Sequence, residues 1–122
     1  MREILFRGKD IAGNWHYGVP LVFTEDYVCI TAPHTYSKKV EANTVGQYTG
    51  LTDKNGKKIF EGDICQHRSY YSDNIVISVV TYTDGQFLAL VDENSGFNLS
   101  DKLEIIGNIH DNSELLKESN NA

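Results

Sequence analysis

The segment Ile75-Val76-Ile77-Ser78-Val79-Val80-Thr81-Tyr82, with Asp84-Gly85 close behind it, constrains the fold more than any other part of the chain. Its β-branched side chains fit a pleated, half-buried surface and fit a helix poorly. Asp84-Gly85 supplies the positive φ that a tight hairpin turn requires, and Phe87, Ala89 and Val91 return beyond it with a period of two. A β-hairpin over 75–91 is the firmest local expectation.

The rest of the chain repeats this pattern with shorter strands. Apolar positions recur with a period nearer two than 3.6, and turn dipeptides follow at short intervals, which favours antiparallel β structure. The expected strands are Ile4 to Gly8, Asn14 to Val19, Tyr27 to Ile30, Thr44 to Tyr48, Asp63 to Gln66, Ile75 to Tyr82, Gln86 to Val91 and Leu103 to Ile109. Ala12-Gly13-Asn14 and Asn94-Ser95-Gly96 read as turns. Asn55-Gly56 is the strongest turn dipeptide, but lysines flank it, so it belongs at an exposed loop tip. The one convincing helix start is at Asn112 or Ser113, capping a short C-terminal helix that turns Leu115 and Leu116 inward. The expected fold class is therefore mainly β, α+β at most: an antiparallel meander or partly open small barrel, SH3-like in part, ending in a short helix. Residues 1–117 read as a single domain with a bend near 33–44 at Pro33, and 118–122 as a frayed polar tail.

A chain of 122 residues is long enough to bury one modest core without metal or disulfide staples. Its net charge of -6, from 17 acidic and 11 basic side chains, disfavours binding polyanions through bulk charge. No apolar run approaches the roughly 18 residues needed to cross a bilayer, and Glu3 and Asp10 around a short apolar core do not make a signal peptide. The reading is cytoplasmic, with no membrane association. Cys29 and Cys65 are too few for a disulfide framework and read as reduced thiols behaving as small hydrophobes.

Four glycines punctuate the stretch from Gly46 to Ile64, which contains Gly-Gln-Tyr-Thr-Gly-Leu, Asp-Lys-Asn-Gly-Lys and Phe-Glu-Gly-Asp-Ile. Near the N-terminus stand Arg2-Glu3-Ile4-Leu5-Phe6-Arg7-Gly8-Lys9 and Gly13-Asn14-Trp15-His16-Tyr17-Gly18. Near the C-terminus stand Ile105-Ile106-Gly107-Asn108-Ile109-His110-Asp111-Asn112 and Glu114-Leu115-Leu116. In their order along the chain the three phrases resemble the YopX proteins, a phage and prophage group of unestablished biochemical role. The resemblance implies a phage or prophage accessory protein in the host cell and transfers no catalytic residue, ligand or partner. The physical reading of Gly46, Tyr48, Gly50, Gly56, Gly62 and Asp63 is structural. Gly62 and Asp63 form a turn that launches Ile64 into the core, with the aspartate accepting backbone hydrogen bonds. Gly46 and Gly50 flank Tyr48 where backbones approach or a bulge forms.

Two ligand-loop templates fail on spacing. A phosphate loop needs four residues between its glycines and a hydroxyl after the lysine, but five residues separate Gly50 from Gly56 and Lys58 stands in the hydroxyl position. A calcium loop started at Asp53 puts Lys57 fifth, Lys58 at the glycine position and Ile64 where a carboxylate belongs. Cys65 and His67 are the only close thiol–imidazole pair, and one pair does not make a zinc site. Glu61, Asp63, Asp92, Glu93 and Asp101 all lie in turn-like text, where carboxylates usually cap or face solvent. The sequence thus supplies no metal or cofactor site and no catalytic set.

The reading favours a non-enzymatic module that self-associates as a homo-oligomer and engages a host or phage protein, with Trp15, Tyr17, Tyr70, Tyr71 and Phe97 as aromatic anchors. The second reading is single-stranded nucleic-acid binding by Lys54, Asn55, Lys57, Lys58, Arg68, Tyr70 and Tyr71, helped by Lys38-Lys39 and opposed by the net charge. The third is a small metal- or thiol-dependent enzyme. In each reading the Asn55-Gly56 tip is the part of the signature free to act.

Overall fold

The computed structural model describes residues 3–32, 37–69 and 71–116. Among the described residues eleven strands, one 3-10 turn and a short helical stretch fall in two compact units, Met1–Tyr48 and Thr49–Ala122. The strands pair antiparallel in two sheets, and no closed barrel forms among the described residues.

The first unit contains β1 (Phe6–Lys9), β2 (Trp15–Phe23), β3 (Tyr27–Thr31), β4 (Lys38–Glu41), the turn Ala42–Thr44 and the start of β5 (Gly46–Thr52). The strand order is β4-β3-β2-β1-β5. Arg7 stands opposite Tyr17 on one side and Gly46 on the other, and Cys29 lies opposite Lys39. Val28, Ile30 and Val40 form the inner face, with Ala42 and Val45 packed against them. The sheet coils until β1 comes onto β4, so a Cβ added to Gly8 would stand 2.5 Å from Val40 Cγ2. Gly18 likewise lies against the Thr31 carbonyl. The coil is fastened by a side chain: the Lys9 amide donates to Thr44 Oγ1 at 2.8 Å.

In the second unit β5 also pairs with β6 (Lys58–Phe60). A five-stranded sheet follows, ordered β10-β9-β8-β7-β11 from β7 (Asp63–Arg68), β8 (Ile75–Thr83), β9 (Gln86–Asp92), β10 (Ser95–Asn98) and β11 (Glu104–Asn108). The β8–β9 hairpin turns where expected: Thr83 faces Gln86, and Asp84 and Gly85 both have positive φ, 51° and 82°. Ile59, Cys65, Val80, Ala89 and Leu103 form the core, with Leu99 and Ile105 against it. Residues 114–116 are helical, and the half-buried Leu115 and Leu116 donate their amides to the Asn112 and Ser113 carbonyls.

Three strands lie outside the sequence expectation. β4 and β6 carry lysines and are short, and β10 is exposed along its whole length, so none shows an apolar alternation of its own. β2 runs past Val19 to Phe23, through Pro20 and a bulge between Pro20 and Val22. A bulge is one of the few sheet sites that accept a proline. The expected bend at Pro33 and the tail beyond Lys117 fall on residues outside those described.

Candidate functional site

The glycine-punctuated signature is organised by two buried aspartates. Asp53 Oδ1 accepts the amides of Asn55 and Lys57 at 2.8 and 2.9 Å, which closes the tip, and Gly56 takes the positive φ there. Asp53 Oδ2 accepts the Ile105 amide at 3.0 Å, and the Lys54 amide donates to the Leu103 carbonyl, so the tip is fastened to the start of β11. Burial raises the Asp53 pKa, but the Ile105, Lys57 and Asn55 amides outweigh it and hold the carboxyl below its ordinary value. Asp63 Oδ2 accepts the Phe60 amide at 2.7 Å across the turn at Gly62, whose φ is 93°.

The C-terminal phrase is its neighbour. β11 pairs with β7 so that Asn108 faces Asp63 and Gly107 faces Ile64. Asn108 Oδ1 accepts the amides of His110 and Asp111, and Asn112 Oδ1 returns to the Asn108 amide at 3.2 Å. Gly107 leaves no room for a Cβ beside Asn112. Two phrases some 40 residues apart are thus one hydrogen-bonded assembly of turns.

β11 begins at Glu104 opposite Gln66, so His67 and Arg68 extend beyond its first pair. A groove of about 320 Å³ opens there, lined by Lys54, Arg68 and Lys102, by Ile75, Phe97 and Leu103, and by Gln66, His67, Ser100 and Glu104. Glu104 is held by Gln66 Nε2 at 2.8 Å, Asn55 Nδ2 at 3.4 Å and Lys54 Nζ at 3.8 Å. The Gln66 hydrogen bond first, then Lys54, keeps its carboxyl below the ordinary value. His67 meets the Phe97 ring edge-on, with centroids 4.8 Å apart. Its Nδ1 is shielded from solvent without a hydrogen-bond partner, and desolvation lowers its pKa, favouring the neutral ring.

Of the residues singled out from sequence, Lys54 and Arg68 line this groove. Asn55 touches it through Glu104, while Lys57 and Lys58 are exposed away from its lining. Tyr71 is 98% exposed, and Tyr70 is outside the described residues. Tyr48 is buried, and Gly50 has a φ of 91° within β5. Lys102 and Glu104 were not anticipated, because only the β7–β11 pairing brings them to Arg68. Lys102 is carried there by the turn in which Ser100 accepts the Lys102 and Leu103 amides through Oγ and its carbonyl.

Cys65 and His67 share β7 but face different surroundings. Cys65 is 0% exposed, and burial first, then Asp63 and Asp53, pushes its thiol up to about 12. Cys29 is half-buried, and both thiols are free. Among the described residues no three His, Cys, Asp or Glu side chains gather in a metal-holding group.

A second surface lies on the first unit. On β2, Tyr17, Val19 and Val22 are 48%, 42% and 46% exposed, and Leu21 and Phe23 stand out further at the bulge and strand end. The alternation that turns Tyr17 and Val19 outward resumes beyond the bulge at Val22, opposite Cys29. Trp15 begins the strip, with the Arg7 guanidinium 4.8 Å from its ring centroid and Lys9 Nζ at 5.9 Å. At the other end Lys39 Nζ stands 4.4 Å from the Tyr27 ring centroid.

The fold is thus that of a two-sheet antiparallel β protein whose recurring phrases build turns. The family model described as YopX protein matches residues 6–117, and the chain belongs to the YopX family. It is similar to the crystal structure of protein EF1440 from Enterococcus faecalis, with 26% identity, a TM-score of 0.64, and coverage of 95% of this chain and 99% of that one. No curated protein matches it.

Proposed function

We propose that the chain is a non-enzymatic binding module that associates with a second copy of itself through the outer face of β2, serving as a phage or prophage accessory protein. The observation that carries this reading is the row of Tyr17, Val19 and Val22, large apolar side chains exposed on one strand on either side of its bulge. Scattered apolar side chains are ordinary on a surface, but a contiguous strip is the mark of a docking face. Trp15 and Tyr17 are of the types that anchor interfaces.

Charge supports a second copy as the occupant. Residues 1–48 carry five acidic and five basic side chains, whereas residues 49–122 carry 12 acidic and six basic, so the entire net charge lies in the second unit. A face on the neutral unit meets its own copy without net repulsion, and a self-complementary patch closes into a symmetric dimer.

Light scattering across a concentration series tests the reading. The wild-type chain is expected to be a dimer or larger, and Val19→Asp, which places a charge at the centre of the strip, is expected to be a folded monomer. A wild-type monomer at every concentration, or a Val19→Asp variant that assembles as the wild type does, would refute it.

A further inference from the structure

We propose that the groove at the end of β7 is a nucleotide-sized binding site, in which Arg68, Lys54 and Lys102 hold a phosphate while Phe97 and Ile75 receive a planar base. This site lies wholly within the second unit and is independent of the β2 face.

The lining has two parts. Three cations come from three separate places, the tip of the β5–β6 hairpin, the end of β7 and the turn before β11, and converge on one opening. Their opposing carboxylate, Glu104, is already engaged by Gln66, Asn55 and Lys54. Among the described residues Arg68 pairs with Asp73 at 3.8 Å, and the two side chains are 70% and 99% exposed. Such a pair contributes little, and a guanidinium gives it up readily for a bidentate phosphate.

The other part is apolar. Phe97 is 41% exposed, Ile75 is 54% exposed, and both border the same groove. Aromatic faces on β strands are the usual seats for bases. His67, edge-on to Phe97, also borders the groove.

Size and charge limit the ligand. A volume of about 320 Å³ is near the lower end of ligand sites and suits one nucleotide. A long strand leaving the groove would cross a unit with 12 acidic side chains against six basic. The shared chemistry is a phosphate beside a base, whether from a free nucleotide or from one unit of a strand, and the test separates the two.

Titration calorimetry with uridine monophosphate, uridine, inorganic phosphate and a short oligouridylate decides the matter. Uridine monophosphate is expected to bind about tenfold or more tighter than uridine or phosphate alone, a difference of about 1.4 kcal/mol. Arg68→Gln and Phe97→Ala should each weaken it about tenfold, while Phe97→Tyr and Lys57→Gln, which lies outside the lining, should leave it unchanged. Circular dichroism confirms that each variant is folded. Equal affinity for the nucleotide and the nucleoside, or no effect of Arg68→Gln, would overturn the site. An oligouridylate binding more than about tenfold tighter than the mononucleotide would overturn the small-ligand assignment in favour of a strand.

Discussion

Asp53 accepts the amide of Ile105 at 3.0 Å across a separation of 52 residues, while its other oxygen closes the loop from Asp53 to Lys57. One buried carboxylate therefore shapes the signature's tip and fixes it to the start of β11. In Asp53→Asn, one of the two oxygens becomes an NH₂ that faces an amide donor, leaving at least one buried amide unpaired. A loss of about 2–3 kcal/mol in urea unfolding is expected. A variant as stable as the wild type would show that the tip holds without this charge.

The same carboxylate fixes a pH dependence. Its folded-state pKa lies below the ordinary 3.8, so its contribution is fully present above that value and is lost as pH falls through the folded value. Thermal melts from pH about 5 down to pH about 3 should show the gap between the wild type and Asp53→Asn narrowing as the pH drops. A constant gap would mean that the Asp53 charge plays no part.

The hairpin at Asp84-Gly85 and the Asp63 turn were legible in the sequence because their partners lie within a few residues. Asp63 reaches only to Phe60, and Thr83 only to Gln86. The Asp53 to Ile105 bond leaves no local mark in the sequence, because the partner of Asp53 is a strand 52 residues away rather than a ligand of the phosphate-loop or calcium-loop kind. The groove is similar. Lys54 and Arg68 are visible in the sequence as charges near turns, but Lys102 and Glu104 join them only once β11 lies beside β7. The strand character of β4 comes from Tyr27 to Ile30 opposite it, since Lys38-Lys39-Val40-Glu41 has one inward apolar residue.

Gly8 is required by space. Its α-carbon lies where β1 crosses Val40, and an added Cβ would stand 2.5 Å from Val40 Cγ2 and 2.9 Å from its Cβ. Gly8→Ala should lose about 1–3 kcal/mol by overpacking. Val40→Ala opens the same spot from the other side, so the double variant should lose clearly less than the two single losses together. Simple additivity would show that β1 and β4 do not meet there in solution.

Cys29 and Cys65 make the last prediction, because one lies on the proposed docking face and the other in the core. Cys65 is fully enclosed with its thiol pushed up to about 12, so neither access nor thiolate is available in the folded chain. Cys29 is half-buried opposite Val22, on the outward side of the sheet. Iodoacetamide on the monomer at high dilution should add a single group, found at Cys29 by mass spectrometry, with Cys65 reacting only in denaturant. The polar carbamidomethyl group would then stand beside Val22 within the apolar strip, and the alkylated protein should fail to assemble when concentrated. Cys29→Ser, which changes one atom, should still assemble and should resist the block. If alkylated and untreated chains assemble alike, the contact between copies lies elsewhere than on the β2 face, whereas rapid labelling of Cys65 would show that the second core opens in the native state.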